Sequence, residues 1–300
     1  MSIEFISPGG PGHGRETILD QVAMEQALKY ANFMADAAGK AILPHFRALQ
    51  QVENKLENKV SASRGSYDPV TVGDRDAEQA IREVIERYRP EDGIYGEEYG
   101  YKQTQSGFTW VLDPIDGTRG FVCGLTTWGT LISLYDGRRS VLGIMDQPVM
   151  GERFVGTFGA SSGKDQPVPV QAYVENRGVR QLISCSGSKN IEESLLCITS
   201  PDIYRGANWP LYEKLTATVA STRYGTDCYG YAMLACGYVD LVVEPALEPY
   251  DIQALVPLIE AAGGIVTDWS GAAVNGGGDI VAAATSELHQ QALSLIKSQS

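Results

Sequence analysis

Histidine is scarce. Only His13, His45 and His289 occur in 300 residues. His13 lies in the opening stretch and His289 in a C-terminal amphipathic segment, so a Ser-His-Asp triad and histidine-based phosphoryl transfer are both poor fits. Cysteine is sparse too. The five cysteines, Cys123, Cys185, Cys197, Cys228 and Cys236, are odd in number and form no Cys-x-x-Cys pair. That argues against a disulfide frame and against a zinc site, and favours reduced thiols in a cytoplasm. No apolar run approaches the roughly 20 residues of a membrane span, so a membrane role is not expected. No charged-then-apolar leader is seen either. Basic residues are outnumbered, with 24 Lys and Arg against 37 Asp and Glu and a formal net charge of -13. Such a surface disfavours non-specific nucleic-acid binding.

What is present is the length and composition of an ordinary globular chain with a sizeable core. Residues 1–15 are rich in Gly, Pro and Ser and read as a disordered tail. From Glu16 to about Ala48 apolar residues keep a 3.6 period, which predicts a long helix. Gln51 to Arg64 is polar and charged, a strand pair or a mobile loop, and contains Lys55 and Lys59. Asp74 is placed to cap a helix running to about Arg89. Short strands are expected at Ile94–Glu98, Phe108–Leu112, Leu131–Tyr135, Val141–Met145 and Phe154–Thr157, with a hairpin turn at Asp136-Gly137. Ser161–Pro169 is the best boundary in the chain. It separates an N-terminal α+β region, 16–160, from a C-terminal α/β region, 170–300. In the latter, strand signals fall at Leu182–Cys185, Thr222–Gly225, Val239–Glu244, Ile265–Asp268 and Asp279–Ala284. Helical signals fall at Ser188–Thr199, Leu211–Val219, Tyr229–Ala235, Ile252–Ala262 and Ser286–Lys297. The order α, then β, then α/β alternation suits layered sheets and helices.

One stretch organises the chemistry: Trp110-Val111-Leu112-Asp113-Pro114-Ile115-Asp116-Gly117-Thr118-Arg119-Gly120-Phe121. Trp110, Val111 and Leu112 read as the end of a buried strand. Asp113 and Asp116 then sit three residues apart around a proline that stiffens the corner. Carboxylates this close repel unless a cation or a proton intervenes. Magnesium takes oxygen ligands of this kind. A helix start after Gly117 would add amides suited to a phosphate. Taken alone, the stretch is equally a plain Asp-Pro-Gly turn. Two companions change the reading: Gly96-Glu97-Glu98 upstream and Pro249-Tyr250-Asp251 downstream.

With those companions the chain resembles the inositol monophosphatase family of metal-dependent phosphatases, from Glu16 onward. The resemblance implies a layered αβαβα sandwich of the α+β class, a homodimer, inhibition by lithium, and hydrolysis of a small phosphomonoester with two or three Mg²⁺ ions. It implies that Glu97, Asp113 and the Ile115 carbonyl hold one ion, and that Asp113, Asp116 and Asp251 hold the second. A weaker third ion would lean on Glu97. Asp74 and Thr118 would orient the attacking water. Gly117, Thr118, Arg119, Asp227 and Glu244 would meet the substrate. Gly73 stands where the family more often has Ala. Asp227-Cys228, Tyr250 and the Arg119-Gly120-Phe121 run look most like the histidinol-phosphate phosphatases of this family. Inositol-1-phosphate or a broad range of sugar phosphates is the alternative substrate. A regulatory binding protein on the same fold is the alternative class, and the intact carboxylate set argues against it.

Overall fold

A computed structural model describes residues 19–48, 53–54, 69–158 and 170–298. The opening tail, Lys55, Lys59 and the stretch 161–169 lie outside them. Helix α1 (Gln21–Ile42) starts where the Asp20 side chain accepts from the Ala23 amide at 2.7 Å. Strands β1 (Glu53–Asn54) and β2 (Pro69–Val70) pair antiparallel. Helix α2 (Val72–Tyr88) follows, then strands β3 (Gly93–Gly96), β4 (Gly100–Lys102) and β5 (Thr109–Asp116). After the short helix α3 (Thr118–Val122) comes a meander, β6 (Gly129–Tyr135), β7 (Ser140–Gln147) and β8 (Glu152–Thr157). The β6–β7 turn closes as expected. Gly137 takes a positive φ of 90°, and the Asp136 carboxylate accepts from the Arg138 and Arg139 amides, each at 2.8 Å.

A hairpin that local patterning shows only in part comes next, β9 (Gln171–Asn176) and β10 (Val179–Leu182). Its two-residue turn, Arg177-Gly178, has positive φ at both positions, which matches strand twist. These strands complete an eight-stranded sheet in the order β10-β9-β8-β7-β6-β5-β3-β4. The segment 188–199, expected as a helix, is instead a single 3₁₀ turn, Ile191–Glu193, followed by strand β11 (Leu195–Ile198). Its apolar run serves two faces: Cys197 packs inward, while Leu196 and Ile198 pack outward. A strand buried on both sides shows no alternation, so its pattern resembles a buried helix.

The remaining elements are α4 (Trp209–Thr218), β12 (Ser221–Tyr224), α5 (Asp227–Ala235), β13 (Leu241–Leu247), α6 (Pro249–Ile252), α7 (Leu255–Ala261), β14 (Ile265–Asp268), β15 (Gly278–Ala283) and α8 (Ser286–Lys297). The one helix expected from Ile252 to Ala262 is thus two pieces set around Gln253 and Ala254. Pro257 gives the reason. It lacks the N–H that would bond the Gln253 carbonyl four residues back.

Three cores stack these elements into five layers. Helices α1 and α2 cover one face of the large sheet through Met34, Ile42, Ile81 and Ile85 against Trp110, Ile132 and Ile144. The opposite face, with Leu131, Met145 and Phe154, meets α5 and α7, which also cover the five-stranded sheet β12-β11-β13-β15-β14. Helices α4 and α8 close its outer face. The fold is the expected αβαβα sandwich. Between the layers the backbones come close: a methyl added at Gly143 would collide with the Ala254 carbonyl, and one at Gly156 with the Leu258 backbone.

Candidate active site

Strand β5 does not stop at Leu112. It runs through the Asp113 corner to Asp116. Side chains three apart on a regular strand point to opposite faces. Here Asp113 pairs with Leu131 and Asp116 with Gly129, so three residues on β5 oppose two on β6. The extra residue is a bulge. It falls at Pro114, which has no N–H to give to a ladder. The bulge brings both carboxylates to one side, and Thr130 Oγ1 seals it by donating to the Pro114 carbonyl at 2.8 Å.

Asp251 joins them from α6, which packs directly against β5. One oxygen from each of Asp113, Asp116 and Asp251 lies within 4.8 Å of the others. Each carboxylate is also aimed. Asp113 Oδ1 accepts from the Ile115 amide at 3.0 Å, Asp116 Oδ2 from the Cys228 amide at 2.6 Å, and Asp251 Oδ2 from the Glu248 amide at 2.8 Å. Asp251 stands third in α6, paired with the Glu248 cap, so it is not itself the cap.

Burial pushes the Asp113 carboxyl well above the usual carboxylate range, and the charges of Glu97, Asp116 and Asp251 push it further. Asp251 is driven the same way by burial, then by Asp116. Burial also raises Asp116, against the pull of its Cys228 contacts. Three acids, Asp113 buried and Asp116 and Asp251 half-buried, held together against their own repulsion fit a hard divalent cation, which takes oxygen ligands and supplies the missing charge.

Behind the corner lies the Thr118–Asp74 pair. Asp74 was expected as the cap of α2. The cap is Thr71, and Asp74 is its capping-box partner, with Oδ2 accepting from the Thr71 amide at 2.8 Å and hydroxyl at 2.6 Å. Asp74 Oδ1 faces Thr118 Oγ1 at 3.4 Å, while that hydroxyl donates to the Ile115 carbonyl at 2.9 Å. Gly117 turns the chain between them with φ of 87°. A side chain there would meet the Thr127 carbonyl at 3.0 Å and Asp227 Cβ at 3.1 Å.

A cavity of about 370 Å³ opens over these groups. Glu97, Asp113, Ile115, Asp116, Gly117, Thr118, Arg119, Asp227, Glu244 and Asp251 all line it; Asp74 stands behind Thr118 and does not. Asp227 is the first residue of α5, with φ of 43°, and Thr226 holds the cap position. Burial, then the charges of Asp116 and Glu244, lift its carboxyl to about 8, with Arg119 pulling it down. Glu244 is buried at 2% exposure and already engaged. It accepts from the Thr199 amide at 2.5 Å and the Tyr231 hydroxyl at 3.0 Å, and burial raises it to about 7.

Residues 23–300 match the inositol monophosphatase family. The chain belongs to that family. It is 36% identical over 302 residues to the bifunctional phosphatase IMPL2, chloroplastic, of Arabidopsis thaliana, covering 96% of this chain and 78% of the relative. It is 33% identical over 272 residues to a histidinol-phosphatase of Streptomyces coelicolor, covering 89% and 95%. A solved inositol monophosphatase from Zymomonas mobilis superposes with a TM-score of 0.77 at 37% identity, covering 92% of this chain and 99% of that one. The family is a metal-dependent phosphatase family, and the acidic cluster of this member has the donors such chemistry needs.

Several residues that shape this family member's site went unread in its sequence. Glu78, buried in α2, accepts from the Glu98 and Tyr99 amides at 2.7 and 3.2 Å and from Arg82 Nε at 2.8 Å. It thereby pins the loop that carries Glu97, and a methyl at Gly96 would collide with it. A glutamate on the apolar face of α2 was the available signal. Thr199, Ile203 and Tyr231 also line the cavity, and nothing local marks them.

Proposed function

We propose that this chain is a Mg²⁺-dependent phosphomonoesterase that hydrolyses histidinol phosphate to histidinol and inorganic phosphate. Asp227 carries the substrate assignment. It is a half-buried carboxylate outside the three-acid cluster, in the same cavity and raised to about 8 by its surroundings. Such a group is stabilised by a cation brought to it. Histidinol phosphate brings an ammonium group close to its phosphate. The lining agrees: among the described residues, Arg119 is the sole basic residue beside six acids. The similarity to a Streptomyces histidinol-phosphatase supports the same choice.

Glu97, Asp113 and the Ile115 carbonyl would hold one ion, and Asp113, Asp116 and Asp251 a second. When bound, the ions neutralise developing charge on the phosphoryl oxygens and make a water acidic enough to attack at neutral pH. Thr118 has two acceptors for one proton, the Ile115 carbonyl and Asp74. Engaging that carbonyl elsewhere commits Thr118 to Asp74, and the pair then orients the water. Asp74 Oδ1 takes the proton the water gives up, since Oδ2 is held by Thr71. Gly117 and Arg119 border the space left for the phosphate, and Glu244, held by Thr199 and Tyr231, adds negative potential behind Asp227. A homodimer in a reducing cytoplasm completes the proposal.

Asp227→Asn should weaken histidinol phosphate by about one to two powers of ten, the worth of a desolvated charged contact. An uncharged phosphate ester should be spared. Inositol-1-phosphate is the second reading, favoured by the 37% identity to the Zymomonas enzyme. Comparing kcat/KM for the two substrates decides: faster inositol-1-phosphate turnover, or equal losses in Asp227→Asn, overturns the histidinol assignment.

A further inference from the structure

The acid cluster is assembled from two places. Asp113 and Asp116 stand on β5, and Asp251 stands on α6, a separate element packed against it. A divalent site tolerates displacements of only about 0.5 Å, so something must fix α6 against the sheet. We propose that Gln253, with Ser133 and Ser140, is the positioning element that sets Asp251 against the other two carboxylates. The inference rests on the reading of that cluster as a divalent-cation site.

Gln253 is two residues past Asp251, in the break between α6 and α7. It is the polar exception in the run Ile252-Gln253-Ala254-Leu255-Val256, and it is 0% exposed. Its backbone carbonyl has no helical partner, because Pro257 lacks the N–H that would reach it. Ser133 Oγ on β6 takes that role at 3.0 Å. Ser140 Oγ on β7 reaches Gln253 Oε1 at 2.5 Å, and Gln253 Nε2 donates to the Gly276 carbonyl at 2.9 Å. A carbonyl only accepts, so the amide orientation is fixed by its partners. The Ser140 proton goes to Gln253. The Ser133 proton then has three acceptors nearby: Ser140 Oγ at 2.9 Å, the Gln253 carbonyl, and the Leu142 carbonyl at 3.1 Å.

The register carries this tether to the cluster. Leu131 pairs with Asp113, and Ser133 is the next residue on the same face of β6. The load path therefore runs from Asp251 through two residues to Gln253, across to Ser133, and back along β6 to Asp113. Gly143 against the Ala254 carbonyl sets how close the segment approaches. Close packing resists compression but permits sliding, whereas directed hydrogen bonds fix the sideways position. A hydrogen-bonded buried polar group adds little net stability, so its distinctive contribution is position.

Mn²⁺ binding to the full chain, followed by electron paramagnetic resonance well below the melting temperature, tests this. Three variants are compared with wild type: Gln253→Ala, the similar-volume Gln253→Met, and the milder Ser140→Ala, which keeps the Gly276 and Ser133 bonds. Supporting partners of metal ligands are worth about 10- to 100-fold in affinity. Both Gln253 variants should weaken Mn²⁺ about 10-fold, and Ser140→Ala should weaken it less. Recovery in Gln253→Met would show that volume rather than polarity matters, and would overturn the proposal. Wild-type affinity in all three variants, whatever their melting temperatures, would overturn it as well. A wild-type chain that binds no Mn²⁺ would remove the cation-site reading, and this inference with it.

Discussion

Asp113 sits at the centre of the three-acid cluster. It is 2% exposed, and Glu97, Asp116 and Asp251 all press their charge on it. Its side chain is expected to serve both ions, so Asp113→Asn should lower turnover by several orders of magnitude. The Asn oxygen can still accept from the Ile115 amide, so the variant should fold. A phosphate-release assay in Mg²⁺ showing near-normal turnover would refute the assignment. Thr118 differs in kind. Its hydroxyl orients without coordinating, so Thr118→Ala should cut kcat far more than it changes KM. Rapid-quench experiments should find no phosphorylated side chain, because water is the nucleophile. The acids themselves were legible from their spacing around Pro114. The way each is held was not. The Cys228 amide that aims Asp116 lies 112 residues away, and no local pattern encodes that bond.

Elements with a clear helical period, a β-branched run or a strong turn signal lie where the sequence places them. Helix α8 (Ser286–Lys297) coincides with its expectation, and the strands β6, β7, β8 and β14 lie where alternation or β-branched runs placed them. Two elements depart from their local signals. Strand β11 reads as helix because its Leu-Leu-Cys-Ile run has no alternation and only one β-branched residue, and β5 reads short because Asp-Pro-Ile-Asp-Gly looks like a turn. Helix α7 lies so close to the large sheet that two strand glycines are obligatory. Gly156→Ala should therefore cost about 3 kcal/mol, at the upper edge of ordinary overpacking, because the collision is with the Leu258 backbone and not with a movable side-chain end. Chemical denaturation would measure it. A loss under about 1 kcal/mol would mean that α7 shifts without penalty, and the close-layer account would be wrong.

For the whole molecule, the site is a place where stability is spent on electrostatic repulsion. A buried carboxylate, Asp113, and two half-buried ones, Asp116 and Asp251, crowd together, and their repulsion is relieved only when a cation or protons arrive. An ion that binds only the folded state adds about 2.7 kcal/mol at a hundredfold excess over Kd, or about 5 °C for a chain of this size. Mg²⁺ added to chelator-treated protein should raise the melting temperature by about that amount. Asp113→Asn in chelator should melt higher than wild type in chelator, since one buried charge is gone, and Mg²⁺ should then add little. Calorimetry of the two proteins, with and without Mg²⁺, checks both statements. A wild-type chain indifferent to Mg²⁺ would contradict the cluster's assignment.

The sequence by itself determined the chemistry available and the layering. The Asp113-to-Thr118 run with Glu97 and Asp251 names the candidate ligands, and the helical and strand periods specify which faces are buried. Tertiary structure alone decided how those ligands converge. Three residues of β5 oppose two of β6, which turns Asp113 and Asp116 to one side. Ser133 reaches Gln253 across 120 residues of chain, which seats the segment bearing Asp251. Asp227 became part of the cavity by packing beside Gly117. Local patterns report which face of an element avoids water. Where two such faces meet is set by side-chain volumes, missing protons and close backbones, and these act only between parts of the chain that are distant in sequence.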